Sequence, residues 1–247
     1  MEKKIWITGA SSGIGRAVAE KFAKEGWKVA ISARRKEILD EMAKNPNIFS
    51  FPLDVTKEDQ VNEVFSKIME NFKYLDICFF CSGTYNPKYE QKIDAKKIKS
   101  TMDTNFLGTV HCVKSVESFF KNKKSGQISI VSSVAGYRGL PNSSGYGPSK
   151  AALTNFAESI YFDFKKYNVK ISVISPGFIK TPLTDKNEFK MPFLRSTEFA
   201  AEKIYTGLVN SKSFEIDFPK QLTLTLKFLR ILPYKLYLFL VERLVKR

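Results

Sequence analysis

Tyr146 and Lys150 stand four residues apart in Tyr-Gly-Pro-Ser-Lys-Ala-Ala-Leu, a spacing that puts both side chains on one face of a helix. Pro148 between them is tolerated in a first turn, where its missing N–H has no intrahelical partner to lose. A free phenol, with a pKa near 10, exchanges protons poorly at neutral pH, and a neighbouring ammonium favours its anion. Lowering it by about three units takes roughly 4 kcal/mol of preferential stabilisation. Ser133 directly follows the apolar run Ile128-Ser129-Ile130-Val131-Ser132, so its hydroxyl can donate to an oxygen on which charge develops. Each residue alone has a plain explanation, as a surface Tyr, a solvated Lys or a capping Ser. Together they point to proton transfer at a carbon–oxygen bond.

A second constellation lies at the N-terminus. Thr8-Gly9-Ala10-Ser11-Ser12-Gly13-Ile14-Gly15 follows the apolar segment 4–8 and opens an amphipathic stretch through Lys24. Glycines there let backbone curve tightly and approach a ligand, and the positive end of the following helix favours an anion. The spacing is GxxxGxG, not the GxGxxG of the commoner dinucleotide fingerprint. The plain alternative is a tight turn with no ligand, but the position in the first strand-turn-helix unit argues for a phosphate site. An unphosphorylated ribose is normally met by an acidic residue at the end of the second strand. Here that strand ends Ser32-Ala33-Arg34-Arg35. With no carboxylate to repel a 2′-phosphate and Arg34 offering a charged fork, the expectation is NADP(H) over NAD(H); solvated arginines at a helix start are the alternative.

The elements that must carry these residues are legible as alternating strands and helices. Strand-like runs at 4–8, 29–33, 48–53, 75–81, 128–132 and 169–174 are separated by segments of helical period. Continuous apolar runs such as Ile77-Cys78-Phe79-Phe80 imply a parallel sheet covered on both faces, a doubly wound α/β Rossmann fold whose ligands bind beyond the carboxyl ends of its strands. The 247 residues fit one such domain.

Composition excludes several function classes. The chain carries 40 Lys plus Arg against 25 Asp plus Glu, a net charge of +15, which admits anionic partners in general. Basic residues are dispersed and no zinc-finger or RNP signature accompanies them, so nucleic acid is not expected. Cys78, Cys81 and Cys112 have neither CxxC pairing nor a His cluster, so no metal is expected. The N-terminus enters a strand directly with no secretory signal, and a cytoplasmic protein with reduced thiols is the reading. His111, the sole histidine, has no partner constellation and reads as a packing or interface residue.

These motifs resemble the short-chain dehydrogenase/reductase family over about the first 200 residues. Thr8, Gly9, Gly13 and Gly15 match its TGxxxGxG cofactor motif, and Asn105, Ser133, Tyr146 and Lys150 match its catalytic tetrad. The resemblance implies hydride transfer between a nicotinamide and a carbonyl or secondary alcohol, with Asn105 holding a water that links Lys150 to a proton relay. An oxidised nicotinamide would help Lys150 to lower the Tyr146 phenol. Ser11, Ser12, Ile14, Arg34, Asp54, Val55, Gly83, Tyr146, Lys150, Pro176, Gly177, Ile179 and Thr181 would join the glycine motif around the cofactor. Among them, Asp54 would contact adenine, and Pro176, Gly177 and Thr181 would flank the nicotinamide. A homo-oligomer, dimer or tetramer, is expected. One departure is Phe80-Cys81-Ser82-Gly83, where the family usually reads Asn-Asn-Ala-Gly: Cys81 replaces an amide that braces the sheet.

Residues 178–199, with Thr181-Pro182-Leu183 and Met191-Pro192-Phe193-Leu194, are read as a cover over the substrate that favours a small or lipophilic compound, with Tyr137, Arg138 and Leu140 on the opposite wall. The catalytic domain is taken as residues 1–219. Residues 220–247, with seven basic residues and one acidic residue, form an amphipathic extension. It is expected to pack on the domain or in an oligomer interface, or else to lie on an anionic membrane surface, making the protein peripheral. A dinucleotide sensor without catalysis, or a membrane-surface interaction protein, would be the alternative functions; neither requires the tetrad.

Overall fold

A computed structural model describes residues 2–90, 92–211 and 213–245; Lys246 and Arg247 of the basic tail lie outside the described residues. Seven strands form one parallel sheet: β1 (Lys4–Thr8), β2 (Lys28–Ser32), β3 (Ile48–Ser50), β4 (Ile77–Phe80), β5 (Gly126–Val131), β6 (Val169–Pro176) and β7 (Glu215–Phe218). Their order is β3-β2-β1-β4-β5-β6-β7. The winding reverses between β1 and β4, where a doubly wound sheet opens a crevice for a ligand.

Helices α1 (Gly13–Lys24), α2 (Lys36–Met42), α3 (Glu58–Phe72), α4 (Pro87–Glu90), α5 (Ala95–Met102), α6 (Gly108–Lys123), α7 (Tyr146–Lys165) and α8 (Thr197–Asn210) connect the strands. Helices α9 (Lys220–Ile231) and α10 (Tyr234–Val245) follow the last one. Alternate residues of β1 serve opposite cores. Ile5 and Ile7 pack with Val18 and Phe22 of α1 and Ile204 of α8. Trp6 faces the other way, among Val61 and Ile68 of α3 and Val116 and Phe120 of α6. Both faces are therefore dry, which is why the central strands read as unbroken apolar runs. Full burial of Phe79 and Phe80 on opposite faces of β4 contributes about 1.5–3 kcal/mol each. The one polar atom of Trp6 is satisfied by donating to Ser32 Oγ at 3.0 Å.

The edge strand β7 is absent from the sequence expectation. Its four residues, Glu-Ile-Asp-Phe, are too few to register as a run, yet they pair in parallel with Val173–Pro176 of β6. Helix α9 then buries Leu222, Thr223 and Leu229 against the domain, and α10 packs Tyr237 and Val241 onto Leu229. Between α5 and α6 the chain makes one π-helical turn, Asp103–Leu107, a widening often found at functional sites. It turns Asn105 fully inward.

Candidate active site

The glycine turn is packed too tightly for side chains. Gly9 sits at φ +69° with a Cβ position 2.8 Å from Ser82 N, and a Cβ on Gly15 would come within 2.4 Å of Gly9 O. Helix α1 therefore starts directly against the end of β1. Its N-cap Ser12 makes no side-chain capping bond, whereas Asp94 and Ser196 cap α5 and α8. Uncapped first-turn N–H groups at the positive end of a helix suit a diphosphate. Thr8 lies beneath the turn, and its Oγ1 accepts from Cys81 N at 3.2 Å and Ser82 N at 3.4 Å. The brace expected from an amide at position 81 is thus supplied from β1. Burial pushes the Cys81 thiol up to about 11, so it stays protonated and packs.

A cavity of about 460 Å³ runs across the carboxyl ends of the strands. Of the residues read as cofactor-binding, Gly9, Ser11, Ser12, Gly13, Ile14 and Gly15 line it at the turn, and Arg34, Asp54 and Val55 at the exits of β2 and β3. Gly83, Tyr146, Lys150, Pro176, Gly177, Ile179 and Thr181 complete the wall, together with Ser133. Thr8 and Asn105 stand behind that lining. The elongated cavity, the Cβ-free turn and the uncapped helix together fit a nicotinamide dinucleotide.

Arg35, not singled out in the sequence, also lines the cavity. Its Nη2 donates to Ser11 Oγ and Ser12 Oγ, each at 2.8 Å. Arg34 stands closer to Asp54 and helps to hold that carboxyl below its usual value; burial opposes this, and hydrogen bonds from the Thr56 N–H and hydroxyl reinforce it.

At the other end, the turn after β5 is pressed against the backbone of α7. A Cβ on Gly136 would meet Lys150 C at 2.8 Å, and Ser132 Oγ donates to Lys150 O at 2.8 Å. This contact brings Ser133 near the Tyr146 phenol, while its hydroxyl accepts from Ala135 N at 3.2 Å and donates to Pro176 O at 3.5 Å. Lys150, 4% exposed, donates to Val131 O at 2.8 Å and stands 5.7 Å from the centre of the Tyr146 ring.

The expected acidification of the phenol is not found in the protein by itself. Burial pushes Tyr146 up to about 12, although the Ser133 bond opposes it, and burial brings Lys150 down to about 8. The ammonium is directed at a carbonyl rather than the phenol, and in a dry pocket both groups prefer their neutral forms. The sequence spacing gave proximity without revealing that balance.

Asn105 makes three bonds with its side chain: Oδ1 accepts from Thr84 N at 2.7 Å, and Nδ2 donates to Thr84 O at 3.0 Å and Ser149 Oγ at 2.9 Å. Its amide is spent on fixing the loop after β4 to α7. His111 Nδ1 bonds Val55 O at 2.9 Å, a tie between α6 and the turn before α3.

Part of the expected substrate wall is elsewhere. Tyr137 is buried against Val134 and Leu222, and its hydroxyl donates to Glu215. Arg138 faces the end of α9, and neither they nor Leu140 line the cavity. The corrected picture is that this turn serves the C-terminal helices, because β7 and α9 occupy the face the sequence left open. From residues 178–199, Ile179, Thr181, Pro182, Leu183, Thr184 and Lys186 line the cavity, while Phe193 and Leu194 are exposed. Among the described residues no cluster able to hold a metal occurs.

Comparison with known proteins agrees with this geometry. The family model described as short chain dehydrogenase matches residues 3–191. An uncharacterized oxidoreductase of Myxococcus xanthus is 33% identical over 236 residues, covering 94% of this chain and 93% of its own. The 11-beta-hydroxysteroid dehydrogenase 1A of Arabidopsis thaliana is 33% identical over 194 residues, 76% of this chain and 55% of that enzyme. Among solved structures, ElxO with NADP bound superposes with a TM-score of 0.77 at 29% identity, covering 88% of this chain and 98% of ElxO. The family model and the Myxococcus relative show that the chain belongs to the short-chain dehydrogenase/reductase family and is an oxidoreductase working with a nicotinamide dinucleotide.

Proposed function

We propose that the protein is an NADP(H)-dependent reductase or dehydrogenase that interconverts a carbonyl and a secondary alcohol of a small or lipophilic substrate. The observation that carries this is that Ser133, Tyr146 and Lys150 share one wall of the dinucleotide cavity. The dinucleotide, when bound, gives or takes the hydride. Ser133 holds the substrate oxygen, and Tyr146 delivers the proton to it in reduction or removes it in oxidation. A phenol held near 12 is protonated at neutral pH, the form that gives its proton to the alkoxide in reduction.

Lys150 is the cation that orients the phenol and shares its proton with solvent. Asn105 fixes the loop after β4 to α7 through its side chain, and its backbone O in the π-helical turn accepts from Thr109 Oγ1 at 2.9 Å. Preference for NADP(H) rests on the two guanidiniums at the end of β2, and the bound NADP of ElxO is consistent with it.

A substrate panel of aromatic ketones, quinones and long-chain aldehydes, followed by NADPH absorbance, tests the reading. Turnover should be abolished by Tyr146→Phe. Unchanged turnover in that variant would refute the acid/base role.

A specific observation favours a lipid-facing tail. Leu224, Phe228 and Ile231 form an exposed stripe on α9, continued by Tyr234, Leu238 and Phe239 of α10 and flanked by Arg230, Lys235 and Arg243. Apolar residues edged by cations suit an anionic bilayer surface. No described helix is long and apolar enough to cross a membrane. Co-sedimentation with phosphatidylglycerol vesicles, lost in Leu224→Glu/Phe228→Glu, is the expected result; absence of binding by the intact chain ends this reading.

A further inference from the structure

Glu90 is a buried carboxylate, 8% exposed, that neither the glycine motif nor the tetrad uses. It ends the short helix α4, yet its partners lie more than fifty residues away at the start of α7. Oε2 accepts from Gly145 N at 2.6 Å and from Ser144 Oγ at 3.3 Å, and Oε1 accepts from Tyr146 N at 3.2 Å.

The first N–H groups of a helix need partners from outside it. In α7 they are accounted for one by one. Gly147 N donates to Ser143 Oγ at 3.0 Å, Pro148 has no N–H, and Ser149 N donates to Gly145 O at 3.1 Å. The N–H of Tyr146 itself is met by Glu90. A carboxylate is also the favoured charge at that end of a helix dipole. Gly145 leaves room for it, since a Cβ there would come within 3.3 Å of Oε1.

The same bond fixes a second element. The segment from Thr84 to Glu90 is pinned at its start by Asn105, through both backbone groups of Thr84, and at its end by Glu90 on α7. Between the two pins, the Tyr85 ring lies 4.9 Å from the Tyr146 ring at an interplanar angle of 55°. A Glu90 released from α7 frees both the strap and the backbone of the catalytic tyrosine.

We propose that Glu90 is a positioning residue for catalysis: by tying the Tyr85 strap to the amide end of the Tyr146 helix, it holds the Tyr146 ring, packed against Tyr85, at its place in the cavity wall. This rests on the acid/base role of Tyr146 given above. Misplacement of a reacting group by about 1 Å costs on the order of a hundredfold in rate, so the effect should fall on turnover.

The test compares Glu90→Ala, Glu90→Asp and Glu90→Gln with the parent on the best substrate of the panel, recording kcat, KM and the NADPH dissociation constant by fluorescence titration. Glu90→Ala should lose about tenfold or more in kcat, as a slackened tie predicts, with NADPH affinity unchanged. Glu90→Gln, which keeps the side-chain length but offers one acceptor oxygen where Glu90 uses two, should recover part of it. A folded Glu90→Ala with parental kcat, or one whose kcat loss is matched by loss of NADPH binding, overturns the proposal. Should Glu90→Ala not fold, the decision passes to Glu90→Gln and Glu90→Asp: kcat below the parent in either at equal NADPH affinity supports the tie, and parental kcat in both refutes it. Full activity in Tyr146→Phe would instead sink the parent reading, so the two failures are distinguishable.

Discussion

Lys150 and Tyr146 share a wall without sharing a hydrogen bond: Lys150 Nζ lies 5.7 Å from the ring centre and donates to Val131 O. The lysine acts on the phenol as a charge, so its protonation state matters. Burial lowers it to about 8; below that pH it is an ammonium and above it an amine. In the reductive direction kcat/KM should therefore fall as pH rises through about 8. Lys150→Arg, which keeps its charge, should move the fall to higher pH even at reduced rate. Initial-rate profiles in matched buffers check this, and a profile flat across that range contradicts it.

The same burial carries a cost in stability. A lysine taken from 10.5 to about 8 disfavours the folded state at neutral pH by about 3 kcal/mol at most, because the unfolded chain binds the proton more tightly. The unfolded state holds the extra proton between those two values, so this penalty fades as pH rises from 8 to 10.5. Lys150→Met should abolish activity yet melt higher than the parent near neutrality by a few degrees, after about 1–3 kcal/mol is lost for the unpaired Val131 carbonyl. The gap should narrow toward alkaline pH; a gap constant with pH would assign it to packing.

What the sequence disclosed follows from the range of the forces involved. Local patterns set β1, the glycine turn and α7 almost to the residue, because backbone sterics and strand or helix period act over a few positions. Ser133, Tyr146 and Lys150 were legible through type and spacing, and Asn105 only through the family resemblance. Glu90 was not, since a carboxylate that caps a helix 55 positions later leaves no local trace, and its contact with Gly145 exists only once the strap folds over. Strand β7 was hidden by its brevity, and with it the face that takes Tyr137 and Arg138 away from the substrate cavity. The balance of pKa values was also beyond reach, because desolvation depends on everything that surrounds a group. Arg35 stood beside Arg34 in plain view, but which of two adjacent guanidiniums turns toward Ser11 and Ser12 is decided by the exit angle of β2.

That angle gives a cofactor prediction. Arg35 already bridges the two hydroxyls of the phosphate turn at 2.8 Å, so it is placed to form a bidentate pair with a 2′-phosphate. Arg35→Leu should raise the KM for NADPH about tenfold or more, the loss of one charge-assisted contact of about 1.5–3 kcal/mol, and leave NADH use nearly unchanged. Arg34→Leu should do less, since that side chain stands nearer Asp54. The ratio of kcat/KM for the two cofactors measures it; a larger effect at Arg34 would reverse the assignment.

Gly15→Ala tests the turn. The added Cβ would stand 2.4 Å from Gly9 O and 2.8 Å from Gly9 C, both backbone atoms with nowhere to retreat, because Gly9 is itself packed on Cys81 and Ser82. The substitution should cost about 1–3 kcal/mol and push α1 away from the end of β1, so that dinucleotide affinity falls with stability. Thermal melting with and without NADPH reads both, and a ligand-induced rise in melting temperature equal to the parent's would show that the turn can yield.

The last prediction concerns the turn that left the substrate wall. Arg138 Nη1 donates to Leu229 O and Arg230 O at 3.1 Å and to Leu232 O at 2.7 Å, carbonyls at the end of α9, of which Leu229 O also accepts from Leu232 N at 3.3 Å. Its guanidinium lies 4.0 Å over the Tyr237 ring and 4.5 Å over that of Tyr234, and Tyr237 Oη donates back to Gly139 O at 2.6 Å. One side chain thus clasps both C-terminal helices to the turn that begins at Ser133. Charged hydrogen bonds of this kind contribute about 1.5–3 kcal/mol, and each 1.4 kcal/mol is about tenfold in an opening equilibrium. Arg138→Ala should accelerate amide hydrogen exchange in α10 by about tenfold or more while β5 amides exchange as before. Unaltered protection in α10 would mean that Leu229, Tyr237 and Val241 hold the extension by apolar contact alone.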